Sequence, residues 1–195
     1  MTKLTKHLIL EAATMLYAAP GLGTFSIRQL AAHLGTAPSV IYYHFQNEND
    51  LLRQMFDYNS TQLGIKRAKL PNPKSAKTML KQRIDFQLEN SESIVAVLKY
   101  YFTFRETFPK NKDGFVPDKS ALHIEEVLEY GRMTGEFYSP NIQRDSKVIA
   151  HSINGFLLEY YPYKLNEIEK KKLINNIYAF LIRALEKGGE KDGKQ

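Results

Sequence analysis

Tyr42, Tyr43 and His44 follow one another directly, with Thr36 and Ser39 just ahead of them and Ser26 and Arg28 one short element earlier. Phenol and aliphatic hydroxyls, an imidazole and a guanidinium are donors suited to anionic oxygens, and aromatic ring bodies pack well on sugars. Val40, Ile41 and Phe45 can face a small core. Two adjacent tyrosines and a histidine are more polar-tipped aromatics than that core can take, so they fit a phosphate backbone. An amphipathic helical hairpin with a tyrosine-rich surface is the other reading, and spacing alone leaves both open.

These residues must be positioned by the stretch Ser26 to Phe45, SIRQLAAHLGTAPSVIYYHF. Ser26 and Gln29 form an S-x-x-Q capping box at a helix N-terminus. Ile27, Leu30, Ala31 and Leu34 fall on one helical stripe. Gly35 ends the helix, since glycine tolerates positive φ. Pro38 suits the first turn of a second helix, predicted to run to Tyr43 or His44. Helix, glycine-containing turn, helix is helix-turn-helix grammar. Residues 4–19 are expected to supply a supporting first helix, with Leu8, Ala12, Met15 and Ala19 on one stripe, Ile9, Ala13 and Leu16 widening it, and Pro20, Gly21 and Gly23 ending it. Asn47 is the next N-cap, with Glu48 and Asp50 in the acid-favouring first turn. The fourth helix carries Leu51, Leu52, Met55 and Phe56 and ends before Pro71 and Pro73.

At these residues the chain resembles the DNA-binding domain of the TetR (tetracycline repressor) family of bacterial regulators. The resemblance covers roughly the first 55 positions: Ala12, Ala13, Leu16, Tyr17 and Gly21; then Ser26, Ile27, Arg28, Leu30, Ala31 and Gly35; then Ile41, Tyr42, His44 and Phe45; then Asn47, Leu51 and Leu52. It implies a double-stranded DNA operator bound through Ser26 to Phe45. Arg28, Thr36, Tyr42, Tyr43 and His44 would hold phosphates, and Ala37, Pro38, Ser39 and Val40 would face base edges. The family often has a lysine where Glu48 stands, and hydroxyls where Ala37 and Val40 stand. Val40 suits a thymine methyl instead.

The charge is distributed unevenly. The 195-residue chain has a formal net charge of +6, which fits a nucleic-acid partner without demanding one. Yet from Met1 to Asp50 three bases (Lys3, Lys6, Arg28) balance three acids (Glu11, Glu48, Asp50), while Lys66 to Arg83 holds seven bases and no acid. That basic run is either a long-range attraction for DNA or a set of solvated helix ends. Because counterion release scales with the phosphates neutralised, a neutral head predicts a modest salt slope.

Composition bounds the rest. Apolar content is 43% and there is no cysteine, so disulfides, thiolate catalysis and cysteine metal sites are excluded, and a cytoplasmic location is expected. No apolar run approaches the about 20 residues that cross a bilayer, and no signal-peptide h-region is seen, so no membrane partner is expected. Five histidines, His7, His33, His44, His123 and His151, are scattered. His123 and Glu126 are three apart, but a carboxylate-bridged metal bundle needs more ligands than that. There is no phosphate-cradling glycine loop, no G-x-S-x-G and no H-E-x-x-H. No enzyme, cofactor or metal is expected.

Beyond residue 74 the periodicity is helical throughout. Ser75 to about Asn90 carries Met79, Leu80, Ile84 and Leu88. Ser91 or Ser93 to Phe108 carries Ile94, Val97, Tyr101, Phe104 and Phe108, with Val95, Leu98 and Phe102 on a second stripe, so this helix should be central. Pro109 to Pro117 reads as a loop. Asp118 is expected to cap a helix that stops near Gly131 and Gly135; Pro140 to Tyr161 and Asn166 to Lys187 are the last two. The predicted fold is all-α, about nine helices. An N-terminal three-helix helix-turn-helix domain (1–46) precedes a helical effector-binding and dimerisation domain (47–187) and a disordered tail (188–195).

Ile149, Ile153, Phe156 and Leu157 with Tyr160, and Ile174, Ile177 and Leu181, give the last two helices apolar faces. Ser152 and Gly155 are small enough to admit another helix. The resemblance implies that these helices pair with their counterparts in a homodimer; burial within one chain is the alternative. It also implies a small-molecule effector cavity. Arg83, Phe86, Tyr101, Phe104, Arg105, Phe108, Phe156 and Tyr160 are the expected lining, although each aromatic is equally a core residue. Arg83 and Arg105 suit an anionic ligand, and Glu89, Glu92 and Glu159 a cationic one. The expected function is a ligand-responsive regulator, a repressor released from a palindromic operator by its effector. A TetR-like interaction protein with weak DNA binding is the alternative.

Overall fold

The computed structural model describes residues 4–19, 25–109 and 121–186. The expectations for Pro20 to Gly23, for most of the Pro109 to Pro117 loop, for Asp118 as a cap, and for Lys187 and the tail lie outside the described residues. Within them the chain is all-helical: α1 (Lys6–Ala18), α2 (Ile27–His33), α3 (Pro38–His44), α4 (Glu48–Ala68), α5 (Ala76–Glu89), α6 (Ser91–Phe104), α7 (Leu122–Thr134), α8 (Ile142–Tyr160) and α9 (Glu167–Glu186). None is long and apolar enough to cross a membrane.

Local chemistry sets most of these ends. Thr5, Ser26, Asn47 and Asn141 each accept from a backbone N–H three residues on. Asn166 Oδ1 accepts from Ile168 and Glu169, and Glu169 returns a carboxylate oxygen to the Asn166 N–H at 2.9 Å, a reciprocal cap. Gly35 has φ +62°. Its N–H reaches Ala32 O at 3.1 Å, and the Thr36 N–H reaches Ala31 O at 2.9 Å, the paired bonds of a Schellman close.

Two compact units emerge. The first comprises the described parts of residues 1–69 together with 90–109. Its core holds Ile9, Ala13, Leu30, Ile41, Phe45, Leu51, Met55 and Val95. Here α1 packs on α4 and α6, and α4 on α6. The face that α1 buries is rotated from the expected one: Ile9, Leu10, Ala13, Thr14 and Ala18 point inward, while Leu8 and Met15 are exposed. The cause is a polar pair that periodicity does not show. Thr14 Oγ1 donates to Leu10 O at 2.8 Å and accepts from Asn59 Nδ2 at 2.7 Å, so a hydroxyl sits in the core without an unmet bond. At the other end of α1, Lys99 of α6 donates its ammonium to the carbonyls of Tyr17, Ala18 and Ala19, at 3.2, 3.2 and 2.8 Å. A cation there complements the negative end of the helix.

The second unit comprises 70–89 and the described residues from 121 onward. Leu80, Ile84, Phe86, Val127, Leu128, Ile153 and Leu181 are buried in it. Glu136, just past α7, caps α5: its carboxylate accepts from Ser75 Oγ at 2.7 Å, Ala76 N at 2.8 Å and Lys77 N at 3.3 Å. Burial works against ionisation, but the hydroxyl and N–H donors outweigh it and hold the carboxyl below its ordinary range. A carboxyl lowered in the folded state stabilises above its unfolded pKa of about 4.3, and that stabilisation is lost as pH falls through the folded value. Glu136→Gln is therefore expected to cost about 1 kcal/mol at neutral pH and clearly less at about pH 3. Paired thermal melts check this, and an equal loss at both pH values would contradict it.

Candidate nucleic-acid interface

The α2–turn–α3 element presents one exposed face. On α3, Ile41 and Phe45 are anchored in the core at 0% and 1% exposure, which aims the opposite side outward: Tyr42 is 54% and Tyr43 84% exposed. Ala37, Pro38 and Ser39 are exposed at the start of α3, and Thr36, Val40 and His44 are half-buried along its flanks. The His44 ring stands edge-on to Tyr43, centroids 5.1 Å apart. Arg28 is exposed on α2. Ser26 is half-buried, its hydroxyl engaged as the α2 cap with Gln29 N at 3.2 Å.

Two residues add to what the sequence indicated. Glu48, at the start of α4, accepts from the Ile27 N–H of α2 at 3.4 Å, so the acid that departs from the resembled pattern ties α4 to the helix before the turn. Lys6 places its ammonium 5.4 Å over the ring of Phe45, at the end of α3. Neither contact has a local sequence signal, because each joins residues far apart in the chain. The basic run from Lys66 to Arg83 is largely engaged within the protein. Lys66 donates to Asn90 at 2.8 Å, Lys77 and Lys81 pair with Glu186 and Asp85, and Arg83 faces Glu126 only at 3.7 Å. The solvated, structural reading of these bases is the better one.

The residues expected to line an effector cavity are divided between the two units. Tyr101, Phe104 and Phe108 belong to the first unit and pack in a ring cluster with Phe56 and Tyr100: Phe56–Tyr100 4.8 Å, Tyr100–Phe104 4.6 Å, Tyr101–Phe108 5.6 Å. Arg105 is exposed beside its neighbour Glu106. Phe156 and Tyr160 lie on the outer side of α8, 40% and 37% exposed, because α8 turns Ile153 and Leu157 inward. Arg83 and Phe86 remain in the interior of the second unit, on α5. That unit also has a cleft of about 490 Å³ between α5 and α9, floored by Leu88 and Ile174. Three lysines (Lys81, Lys170, Lys171) and three acids (Asp85, Glu89, Glu167) rim it, so their charges cancel.

The residues of the expected dimer face are mostly covered within the single chain. Ile149, Ile153, Leu157, Ile174, Ile177 and Leu181 are all buried within the single chain, at 8% exposure or less. Residues already covered by their own chain offer a second copy almost nothing. Of the expected set only Phe156 points outward. On α8 it shares its side with Val148, Ser152, Gly155 and Tyr160, and on α9 Phe180 is exposed. Among the described residues no group of three or more His, Asp or Glu is arranged to hold a metal ion.

A short helix held by its apolar side, its tyrosine-bearing side free, after a glycine-containing turn: this is the helix-turn-helix arrangement of DNA-binding proteins, a motif whose second helix characteristically lies in the major groove. The profile for bacterial regulatory proteins of the tetR family matches residues 9–55, and that for the C-terminal region of QacR-like proteins matches residues 116–187. The chain belongs to the TetR family of transcriptional regulators, whose members are not enzymes. No curated protein matches the sequence. Solved structures share the fold at low identity. A bacterial regulatory protein in the tetR family from Rhodococcus RHA1 is 17% identical, with TM-score 0.64 over 92% of this chain and 96% of that one. The fatty acid degradation regulator FadR from Bacillus halodurans is 14% identical, with TM-score 0.60 over 98% of each. The ketosteroid transcriptional regulator KstR2 of Mycobacterium tuberculosis is 11% identical, with TM-score 0.62 over 95% and 96%.

Proposed function

We propose that this protein is a ligand-responsive transcriptional repressor of the cytoplasm. It binds a palindromic operator as a homodimer and is released when a small-molecule effector favours a different spacing of its two reading heads. The observation that carries the reading is the exposed row Ala37, Pro38, Ser39, Tyr42 and Tyr43 on a helix anchored by Ile41 and Phe45. Ala37, Pro38, Ser39 and Val40 face base edges; Ser26, Arg28, Thr36, Tyr42, Tyr43 and His44 hold the backbone. The dimer forms through the outer side of α8, around Val148, Ser152, Gly155, Phe156 and Tyr160, with Phe180 of α9. The domain division that matters for function is the helix-turn-helix head (1–46), the helical remainder to residue 187, and the short tail.

The direct test is fluorescence anisotropy on the intergenic DNA beside the protein's own gene, against a scrambled duplex, over a salt series. Specific binding is expected to exceed non-specific binding by about 10³ or more. Equal, weak binding to both would favour the second reading, an interaction protein that uses the same scaffold, which the uncharged balance of the head and Glu48 also support.

Glu48 offers a sharper check. Replacing it with lysine removes a negative charge and adds a positive one beside the reading face. Glu48→Lys is expected to tighten non-specific DNA binding and to steepen the log K against log salt slope by about one unit. An unchanged slope would place Glu48 away from the phosphates.

A further inference from the structure

Arg83 and Gln87 stand one turn apart on the same side of α5. The Arg83 side chain is only 15% exposed. Its Nε is buried without a hydrogen-bond partner, and so is Oε1 of Gln87. Among the described residues the acid paired with this guanidinium is Glu126 of α7. Its Oε2 lies 3.7 Å from Nη2, too long for a hydrogen bond, on a carboxylate that is 61% exposed and that also faces His123 Nδ1 at 3.8 Å. A largely buried cation with so distant a counter-charge is costly to the folded chain. Unmet buried polar atoms are rare in native folds, and each calls for a physical account, a bound group among them. Two such atoms on one helix turn favour a bound group more firmly than one does.

We infer that Arg83 and Gln87 are the polar anchor of the effector site, and that the effector is a small carboxylate with an apolar body. The carboxylate accepts from the Nε–H and Nη2–H edge of Arg83, the flat fork that matches two carboxylate oxygens. Gln87 completes the site from one turn on; its amide can present either its oxygen or its NH₂ to the ligand. The buried residues of α5 are Ala76, Met79, Leu80, Ile84, Phe86 and Leu88, so a group seated beside Arg83 would meet apolar side chains, which argues for an apolar body. A cationic effector finds nothing comparable. Glu89 and Glu159 are exposed, and burial pushes the Glu92 carboxyl up toward its neutral form. The other candidate for an anion, Arg105, is exposed at the end of α6.

This inference rests on the effector-responsive reading above, and its test separates the two. Decanoate, decanol and decylamine, matched in chain length, are titrated into the full-length protein by calorimetry and thermal shift, with operator affinity measured on the same samples. Decanoate is expected to bind at least about tenfold more tightly than decanol or decylamine. Arg83→Met is expected to erase that preference while keeping the parent's operator affinity. The ligand-free Arg83→Met protein should melt no lower than the parent, because a poorly paired buried charge has been removed. Gln87→Leu should weaken decanoate binding several-fold and leave decanol unchanged. Decylamine binding as well as decanoate, a preference that survives in Arg83→Met, or no binding of any of the three would overturn the assignment. So would a lower melting temperature in Arg83→Met, which would make the arginine a structural partner of Glu126. Loss of operator binding in the parent protein itself would instead sink the regulator reading.

Discussion

Gly131→Ala is expected to destabilise the unit built from α5, α7, α8 and α9 by about 2–4 kcal/mol, although it adds a single methyl group. A Cβ at this position would lie 2.3 Å from Cδ2, 2.7 Å from Cγ and 2.9 Å from Cβ of Phe137. Phe137 cannot swing aside. Its ring is 5% exposed, its N–H is held by Gly131 O at 3.0 Å, and the next N–H, of Tyr138, is held by Leu185 O of α9 at 2.8 Å. The methyl must therefore push a pinned ring out of the core or pry α7 from the segment behind it. A double-mutant cycle isolates the cause. On a Phe137→Ala background, Gly131→Ala should cost almost nothing further, since the colliding ring is gone. Chemical denaturation of the four proteins reads this directly. A single Gly131→Ala variant that unfolds at the parent's midpoint would show that the two backbone bonds do not hold Phe137 in place.

The second large effect is on DNA. Tyr42→Ala is expected to weaken operator binding by about tenfold to a hundredfold, the loss of one charge-assisted hydrogen bond and a ring packed on the backbone. Stability should change by less than about 0.5 kcal/mol, since more than half of the side chain is already in solvent. Tyr42→Phe separates the two parts, keeping the ring and losing the hydroxyl. It should fall between parent and alanine variant in anisotropy titrations. If Tyr42→Ala binds the operator as the parent does, the exposed side of α3 is not the surface that meets DNA.

What could be read from the sequence follows the range of the interactions involved. The α2–turn–α3 element was fully legible, because its determinants are local: the Ser26 cap, the Gly35 close and Pro38 act within four residues of themselves. Helix ends at Asn47, Asn166 and Gly135 are legible for the same reason, whereas the Asn141 cap emerges only from the structure. The inward face of α1 was not. Its core includes Thr14, a polar residue whose partner Asn59 lies 45 positions away, and an apolar-stripe argument has no means of placing a satisfied hydroxyl inside. On α8 and α9 the periodicity correctly marked helices apolar on more than one side. It could not say which side the chain covers itself, since Ile153 and Phe156 look alike to a hydrophobic count yet are 1% and 40% exposed. The aromatics between Tyr100 and Phe108 are numerous enough in sequence to suggest cavity lining. In the structure Tyr100 of α6 and Phe108 beyond its end both pack on Phe56 of α4, a partner more than forty positions away. Arg83 and Arg105 were equivalent in sequence; burial of one and exposure of the other is what distinguishes them.

The tie between Lys99 and the end of α1 bears on how this protein can be taken apart and recombined. The reading head draws its support from a helix that returns to it after an excursion of some twenty residues through the other unit, so the head is not a contiguous cassette. A chimera that borrows residues 4–45 alone takes the reading helix but leaves behind the ammonium that closes three carbonyls and the α4 and α6 surfaces that cover Ile9 and Ala13. Transplanting the specificity of this regulator onto another scaffold means carrying α4 and residues 90–109 along with the head, or changing only the exposed positions of α3 in place.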